Sequence, residues 1–147
     1  MLEKCFIDAS ALLEIILWKR TELLRKLSNY VSYTSVNVLE EAAFKIIYSS
    51  IAEDKIGFFK MKEKFEKDYS IEVLIGRLHA LNLLKNYMVV LEITEQIFDT
   101  AKKIITEYRL LPNDALIAAT CKHYGIRKIA TFDEDFKRVD FLEVLEL

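Results

Sequence analysis

The chain has 147 residues, 21 Lys plus Arg against 23 Asp plus Glu, and a formal net charge of −2 at pH 7. A hydrophobic share of 52% with only three Gly and one Pro excludes collagen-like, low-complexity and disordered chains, because enough apolar surface is present to offset the entropy of ordering. The near-neutral balance also excludes a protein that coats nucleic acid by bulk charge, so any phosphate contact is local.

The first apolar run, Cys5-Phe6-Ile7, ends at Asp8, and the periodic segment Ala9–Lys19 follows at once. This predicts a buried strand running into a helix, with Asp8 or Ser10 as its N-cap. Tyr30–Thr34 reads as a second strand. Ser35–Ala52 is a long helical pattern with Leu39, Ala42, Ala43, Ile46 and Ile47 on one stripe. Lys55–Asp68 mixes Phe58, Phe59, Met61 and Phe65 with lysines, and Ile71–Tyr87 is helical again. Met88–Ile93 has strand length, and Thr94 caps a helix reaching about Tyr108. Pro112-Asn113-Asp114 leads into a helix over Ala115–Tyr124, closed by Gly125 as a left-handed C-cap. Lys128–Thr131 is a fourth strand and Phe141–Leu147 a fifth.

No repeat or linker divides the chain, so a single domain over residues 1–147 is expected. Cys5 and Cys121 lie in apolar runs without metal-ligand spacing and read as reduced core residues. Charges interrupt every apolar stretch before the roughly 20 residues a membrane span needs, and no signal-peptide pattern opens the sequence. The expectation is a soluble, cytoplasmic protein with no membrane partner.

Strands alternating with helices, without hairpin signals, predict a parallel sheet covered on both faces. Ligands of such sheets bind outside the carboxyl ends of the strands. Asp8 and Asp133 both follow predicted strands, so residues distant in sequence meet at one sheet edge. The acids to weigh there are Asp8, Glu41 or its neighbour Glu40, Asp114 and Asp133, with Asp135 close behind. Crowded carboxylates stay ionised only with a cation among them, and Mg²⁺ and Mn²⁺ prefer such oxygen ligands and also bind phosphates. Each acid has a plainer reading. Asp8 and Asp114 suit the N-caps of the helices at Ala9 and Ala115, and Asp133 and Asp135 suit a turn. Glu41 shares its helix side with Lys45 and Tyr48, as a solvated residue would. Glu40 lies with Phe44, Ile47 and Ile51, so periodicity favours Glu40 as the inward acid.

Four segments in order resemble the motifs of PIN-domain nucleases, especially the VapC-type toxins of prokaryotic toxin–antitoxin pairs. Phe6-Ile7-Asp8-Ala9-Ser10 is similar to the family's first strand, Asp and following hydroxyl residue. Thr34–Phe44 looks like the second motif, where an aromatic three residues after the Glu selects Glu41. Leu111–Thr120 resembles the third, an Asp opening a helix rich in small residues, and Ile129–Phe136 the fourth, Thr-x-Asp with a further Asp-Phe. The Gly often found shortly after the second-motif Glu is absent, since Lys45 follows Phe44. The resemblance implies a three-layer α/β/α sandwich around a parallel sheet and an endoribonuclease dependent on Mg²⁺ or Mn²⁺. It implies that Asp8, Glu41, Asp114 and Asp133 hold the metal, with Asp135 peripheral, and that Ser10 and Thr131 orient a carboxylate, water or phosphate. Asn113 is not a position the family fixes. RNA is the implied substrate, and an antitoxin and a second copy of the chain are the implied partners. An RNA-processing nuclease without antitoxin, or a catalytically silent binding module, would carry the same motifs. The Phe58–Lys67 segment reads as an amphipathic helix burying an aromatic stripe, or else as a surface for RNA, a second copy or an antitoxin.

Overall fold

Cys5, Phe6 and Ile7 are fully buried, as expected of a central strand covered on both faces. They belong to β1 (Glu3–Ile7), the middle strand of the parallel sheet in the computed structural model, which describes residues 1–51, 55–67 and 71–147. Helices α1 (Ala9–Trp18) and α2 (Glu22–Leu27) lead to β2 (Tyr30–Ser35). Helices α3 (Val36–Ile51), α4 (Phe58–Lys67) and α5 (Glu72–Asn86) then precede β3 (Val89–Leu91). Helices α6 (Glu95–Tyr108) and α7 (Pro112–Tyr124) lead to β4 (Lys128–Ala130). A 3₁₀ turn over Glu134–Arg138 precedes β5 (Glu143–Val144).

The strand order is β3-β2-β1-β4-β5, every pair parallel, with Phe6 opposite Tyr33 on one side and Ile129 on the other. Helices α1, α3 and α5 pack on one another, and α6 packs on α7, giving the expected α/β/α sandwich. The chain winds outward from β1 through β2 to β3, then returns to place β4 on the opposite side of β1. The gap between the carboxyl ends of β1 and β4 is therefore the topological switch point, where loops part and a crevice opens.

Most predicted elements match in kind. Helix α2, with Leu23 and Leu27 buried one turn apart, was not anticipated, nor was the 3₁₀ turn. The fifth strand contracts to Glu143–Val144. The predicted endpoints at Ala52 and Asp68 lie outside the described residues. Both cysteines are buried and free, and burial pushes the Cys5 thiol up to about 12. No described helix is long and apolar enough to cross a membrane.

Helix α7 ends as its sequence indicates. Gly125 takes φ 68°, its N–H reaches the Lys122 carbonyl, and the Ile126 N–H reaches the Cys121 carbonyl at 2.9 Å. A Cβ at Gly125 would meet nothing within 4 Å, so Gly125→Ala isolates the cost of a left-handed backbone. The expected loss is about 1 kcal/mol, read as a melting temperature roughly 4 °C lower by calorimetry.

Candidate metal centre at the switch point

Asp8 leaves β1 in extended conformation, its N–H held by the Ala130 carbonyl at 3.0 Å. Its side chain, 5% exposed, is fully engaged. Oδ1 accepts the Ala9 N–H at 2.8 Å, which makes Asp8, not Ser10, the N-cap of α1. Oδ2 accepts the Thr131 hydroxyl at 2.7 Å, with Ser10 Oγ at 3.3 Å. The two hydroxyls lie 3.1 Å apart and take N–H bonds from the loop after β4. Phe132 N–H donates to Ser10 Oγ at 2.9 Å, and Asp133 N–H to Thr131 Oγ1 at 3.0 Å. The capping and site readings of Asp8 thus hold together, because each oxygen does one job.

Asp114 behaves otherwise. Helix α7 starts at Pro112, whose missing N–H and preset φ suit a first helical position, so the expected start at Ala115 is corrected by one turn. Asp114 therefore stands inside the first turn and caps nothing; the cap position is Leu111. Burial, and then the charges of Asp133, Asp8, Glu41 and Asp135, push its carboxyl up to about 7. Asp8 is likewise raised, by burial first and by Glu41, against the Thr131 and Ala9 hydrogen bonds.

Asp133 caps the 3₁₀ turn by accepting the Asp135 N–H at 2.9 Å. Asp135, expected at the periphery, instead belongs to the tightest group: carboxylate oxygens of Asp114, Asp133 and Asp135 all lie within 4.8 Å of one another. The 3₁₀ turn folds Asp135 back toward Asp133, and Arg138 fixes it there. The Arg138 guanidinium binds Asp135 Oδ1 at 3.1 Å and the Tyr108 and Arg109 carbonyls at 3.2 and 3.0 Å.

On α3 the structure separates the two glutamates. Val38, Ala42 and Ile46 make the buried stripe, so Glu40 faces water, nearly opposite to it, and Glu41 sits about 100° from Ala42 on the flank. The expectation that Glu40 is the inward acid is corrected. It relied on Phe44, which is itself 38% exposed. Glu41 Oε2 accepts the Asn113 amide N–H at 2.7 Å, and Oε1 pairs with Lys45 at 2.6 Å. Asn113 Oδ1 in turn accepts from Asn37 Nδ2 at 2.8 Å, and Asn37 Oδ1 accepts from Ser35 Oγ. Asn37 and Asn113 were not foreseen as site residues. The available signal was spacing: Asn37, Glu41 and Lys45 recur every four residues on one helix face.

Asp114, Asp133 and Asp135 thus form a close trio, while Asp8 and Glu41 lie outside it yet near enough for their charges to raise Asp114. Lys45 and Arg138 are the nearby basic partners, and among the described residues no Lys or Arg pairs with Asp8, Asp114 or Asp133. This oxygen-only, undercompensated set fits a hard divalent cation. The apolar cavity of about 670 Å³ between α1, α2 and α5, lined by Ile15, Ile16, Leu24, Leu83 and Leu84, includes no carboxylate and is a different place.

A family model described as PIN domain matches residues 5–142, nearly the whole chain. The chain belongs to the PIN-domain family. Ribonuclease VapC6 of Methanocaldococcus jannaschii is 36% identical over 147 aligned residues, covering 96% of this chain and 95% of that one. Among solved structures, VapBC2 from Rickettsia felis, bound to a DNA fragment from its promoter, superposes with a TM-score of 0.66. It is 16% identical, with 98% of each chain covered. Mycobacterium tuberculosis VapC20, a toxin cleaving the sarcin–ricin loop, gives 0.64 at 18% identity, over 95% of this chain and 98% of that one. At those identities the likeness concerns the fold.

The raised carboxyls set the direction of pH dependence without divalent ion. A carboxyl that holds its proton up to about pH 7 when folded, but only to about 3.8 when unfolded, contributes no penalty below the lower value. Stability is then lost progressively as pH rises from about 4 through 7. In EDTA the melting temperature is therefore expected to be higher at pH 5 than at pH 8, and Asp114→Asn is expected to flatten that slope.

Proposed function

We propose that this protein is a divalent-metal-dependent endoribonuclease, the toxin of a toxin–antitoxin pair. Asp8, Glu41, Asp114, Asp133 and Asp135 would hold Mg²⁺ or Mn²⁺. The observation that carries the reading is the undercompensated carboxylate group at the switch point. The names of the relatives support the substrate and partner: VapC6 is a ribonuclease, VapC20 is a toxin that cleaves the sarcin–ricin loop, and a toxin–antitoxin complex from Klebsiella pneumoniae shares the fold. We place it in the cytoplasm, as one domain assembling into a homodimer.

When bound, such an ion supplies Lewis acidity: it makes a water a stronger nucleophile and offsets phosphate charge. The protein's own groups set the geometry. Asp8 cannot swing, because three donors hold its two oxygens. Thr131, donating to Asp8 and accepting from Asp133 N–H, keeps the two acid-bearing strand ends in register. Asn113 holds Glu41 across the crevice from α7, next to Asp114 in the chain. Asp114 is the adaptable member. With a carboxyl near pH 7 it carries a proton much of the time at neutrality, and must release it to become a ligand. Affinity for the ion therefore rises with pH through that region.

Cleavage of RNA is expected to require Mg²⁺ or Mn²⁺, and Asp8→Asn and Asp114→Asn to slow it by about two to three orders of magnitude. Asn113→Ala, which frees Glu41 to rotate, is expected to cost about tenfold. Gel-resolved RNA cleavage with and without EDTA is the measurement. Equal rates for wild type and Asp8→Asn would end the reading. Divalent ion should also raise the neutral-pH melting temperature of the wild type, by about 3 kcal/mol of added stability at 100 times its dissociation constant, and leave Asp114→Asn less affected.

A further inference from the structure

Helix α4 does not bury its aromatic residues. Met61 is its buried residue, whereas Phe58 is 49% exposed, Phe65 37% and Phe59 84%. The expected buried stripe is thereby corrected: the helix packs against α3 but leaves its rings partly or largely exposed. Those rings continue a row begun on α3. Phe44 stacks on Phe58 at 26° with centroids 6.1 Å apart, and Phe59 meets Phe58 edge-on at 5.5 Å. Phe44 lies three residues beyond Glu41 on α3, so the row begins beside the acid cluster and leads away from it.

Exposed aromatic area of this extent is unfavourable in water and marks a surface that something covers. The charges around it indicate what. Residues 55–67 hold five lysines and two glutamates, in a chain whose net charge is −2. Lys62 and Lys67 pair with Glu66 and Glu63, while Lys60 and Lys64 form no ion pair among the described residues. Rings and ammonium groups thus share one short helix. Lysine is depleted from protein–protein interfaces, and a two-fold contact between copies would set this lysine patch against itself. A polyanion with flat apolar faces suits both features.

We propose that Phe44, Phe58 and Phe59 form a stacking platform for unpaired bases of single-stranded RNA, with Lys60 and Lys64 taking the adjoining phosphates while the strand enters the acidic crevice. The inference rests on the ribonuclease reading and deepens it, by assigning where the substrate is gripped and in what state. Every base has a π-face, so stacking tolerates sequence, and paired bases cannot offer that face. The platform therefore selects unpaired loops or ends. Phe59, the most exposed ring, has the freest face.

Binding is measured by fluorescence anisotropy with a labelled oligoribonucleotide, single-stranded or annealed to its complement, in EDTA so that no turnover intervenes. The single strand is expected to bind at least ten times more tightly than the duplex. Phe59→Ala, which removes an exposed side chain and leaves the core intact, is expected to weaken the single strand about tenfold. Lys60→Ala with Lys64→Ala should lower the slope of log affinity against log salt by more than one. In a Trp18→Phe background, Phe59→Trp should show emission quenched by the single strand and not by the duplex. Unchanged affinity in Phe59→Ala, or equal affinity for single strand and duplex, overturns the platform. Sedimentation that shows Phe59→Ala losing self-association while its RNA affinity stands unchanged also overturns it, making the rings an interface between copies. A wild type that cleaves RNA with Mg²⁺ yet passes none of these binding tests overturns the platform alone. One that binds as expected but never cleaves with Mg²⁺ or Mn²⁺ overturns the ribonuclease reading alone.

Discussion

The hydrogen bond from Thr131 to Asp8 joins the carboxyl ends of two neighbouring strands that are 123 residues apart in the chain. Around it the Ser10 hydroxyl and the N–H groups of Phe132 and Asp133 close a small network, so that the loop after β4 is moulded on the end of β1. Without that network Asp8 and Asp133 would hang from separate strand ends. With it, the acid ending β1, the acid opening the 3₁₀ turn and the acid in the first turn of α7 converge, because topology had already set β4 beside β1. The backbone arrangement is inexpensive, since parallel strands end where helices begin and leave unpaired N–H groups for side chains to use.

The acids of the crevice are held unequally. Asp8 is buried but saturated with donors, and those donors partly offset its desolvation. Asp114 has burial and four neighbouring negative charges acting in the same direction. Glu41 has an amide and an ammonium group. One fixed member, one braced member and one loaded member give the site both a rigid frame and a group whose charge responds to its surroundings. Carboxyls raised by burial and by one another's charge are a common mark of a functional site.

Much of this was legible in the sequence where local and global signals agree. The run ending at Asp8 had to be a buried strand, because three apolar residues meet a helix start with no room for anything else, and all three are buried. Thr94 and Gly125 cap the helices they appeared to cap. The failures have physical reasons. Pro112-Asn113-Asp114 reads as the lead-in to a helix over Ala115–Tyr124, but Pro112 already occupies a first-turn position, which moves Asp114 off the cap. Glu40 and Glu41 differ by about 100° around α3, and the choice depended on taking Phe44 as a core residue. Helical periodicity shows which residues share a face, not whether another element covers it; α4 presents its rings to water for that reason. The Asn37–Asn113–Glu41 chain joins α3 to α7 across 76 positions; the four-residue spacing on α3 groups Asn37 with Glu41 but says nothing of Asn113 on another helix.

The outer strands of the sheet are very short. At one border β3 has three residues, with Val89 and Val90 exposed, and at the other β5 has two. A border so brief offers a visiting strand only a handful of unmet peptide groups, too few to seed the ribbon-like stacking that open sheets invite. Molecules of this shape are steered away from joining sheet to sheet, and copies that associate are left to meet through their helices.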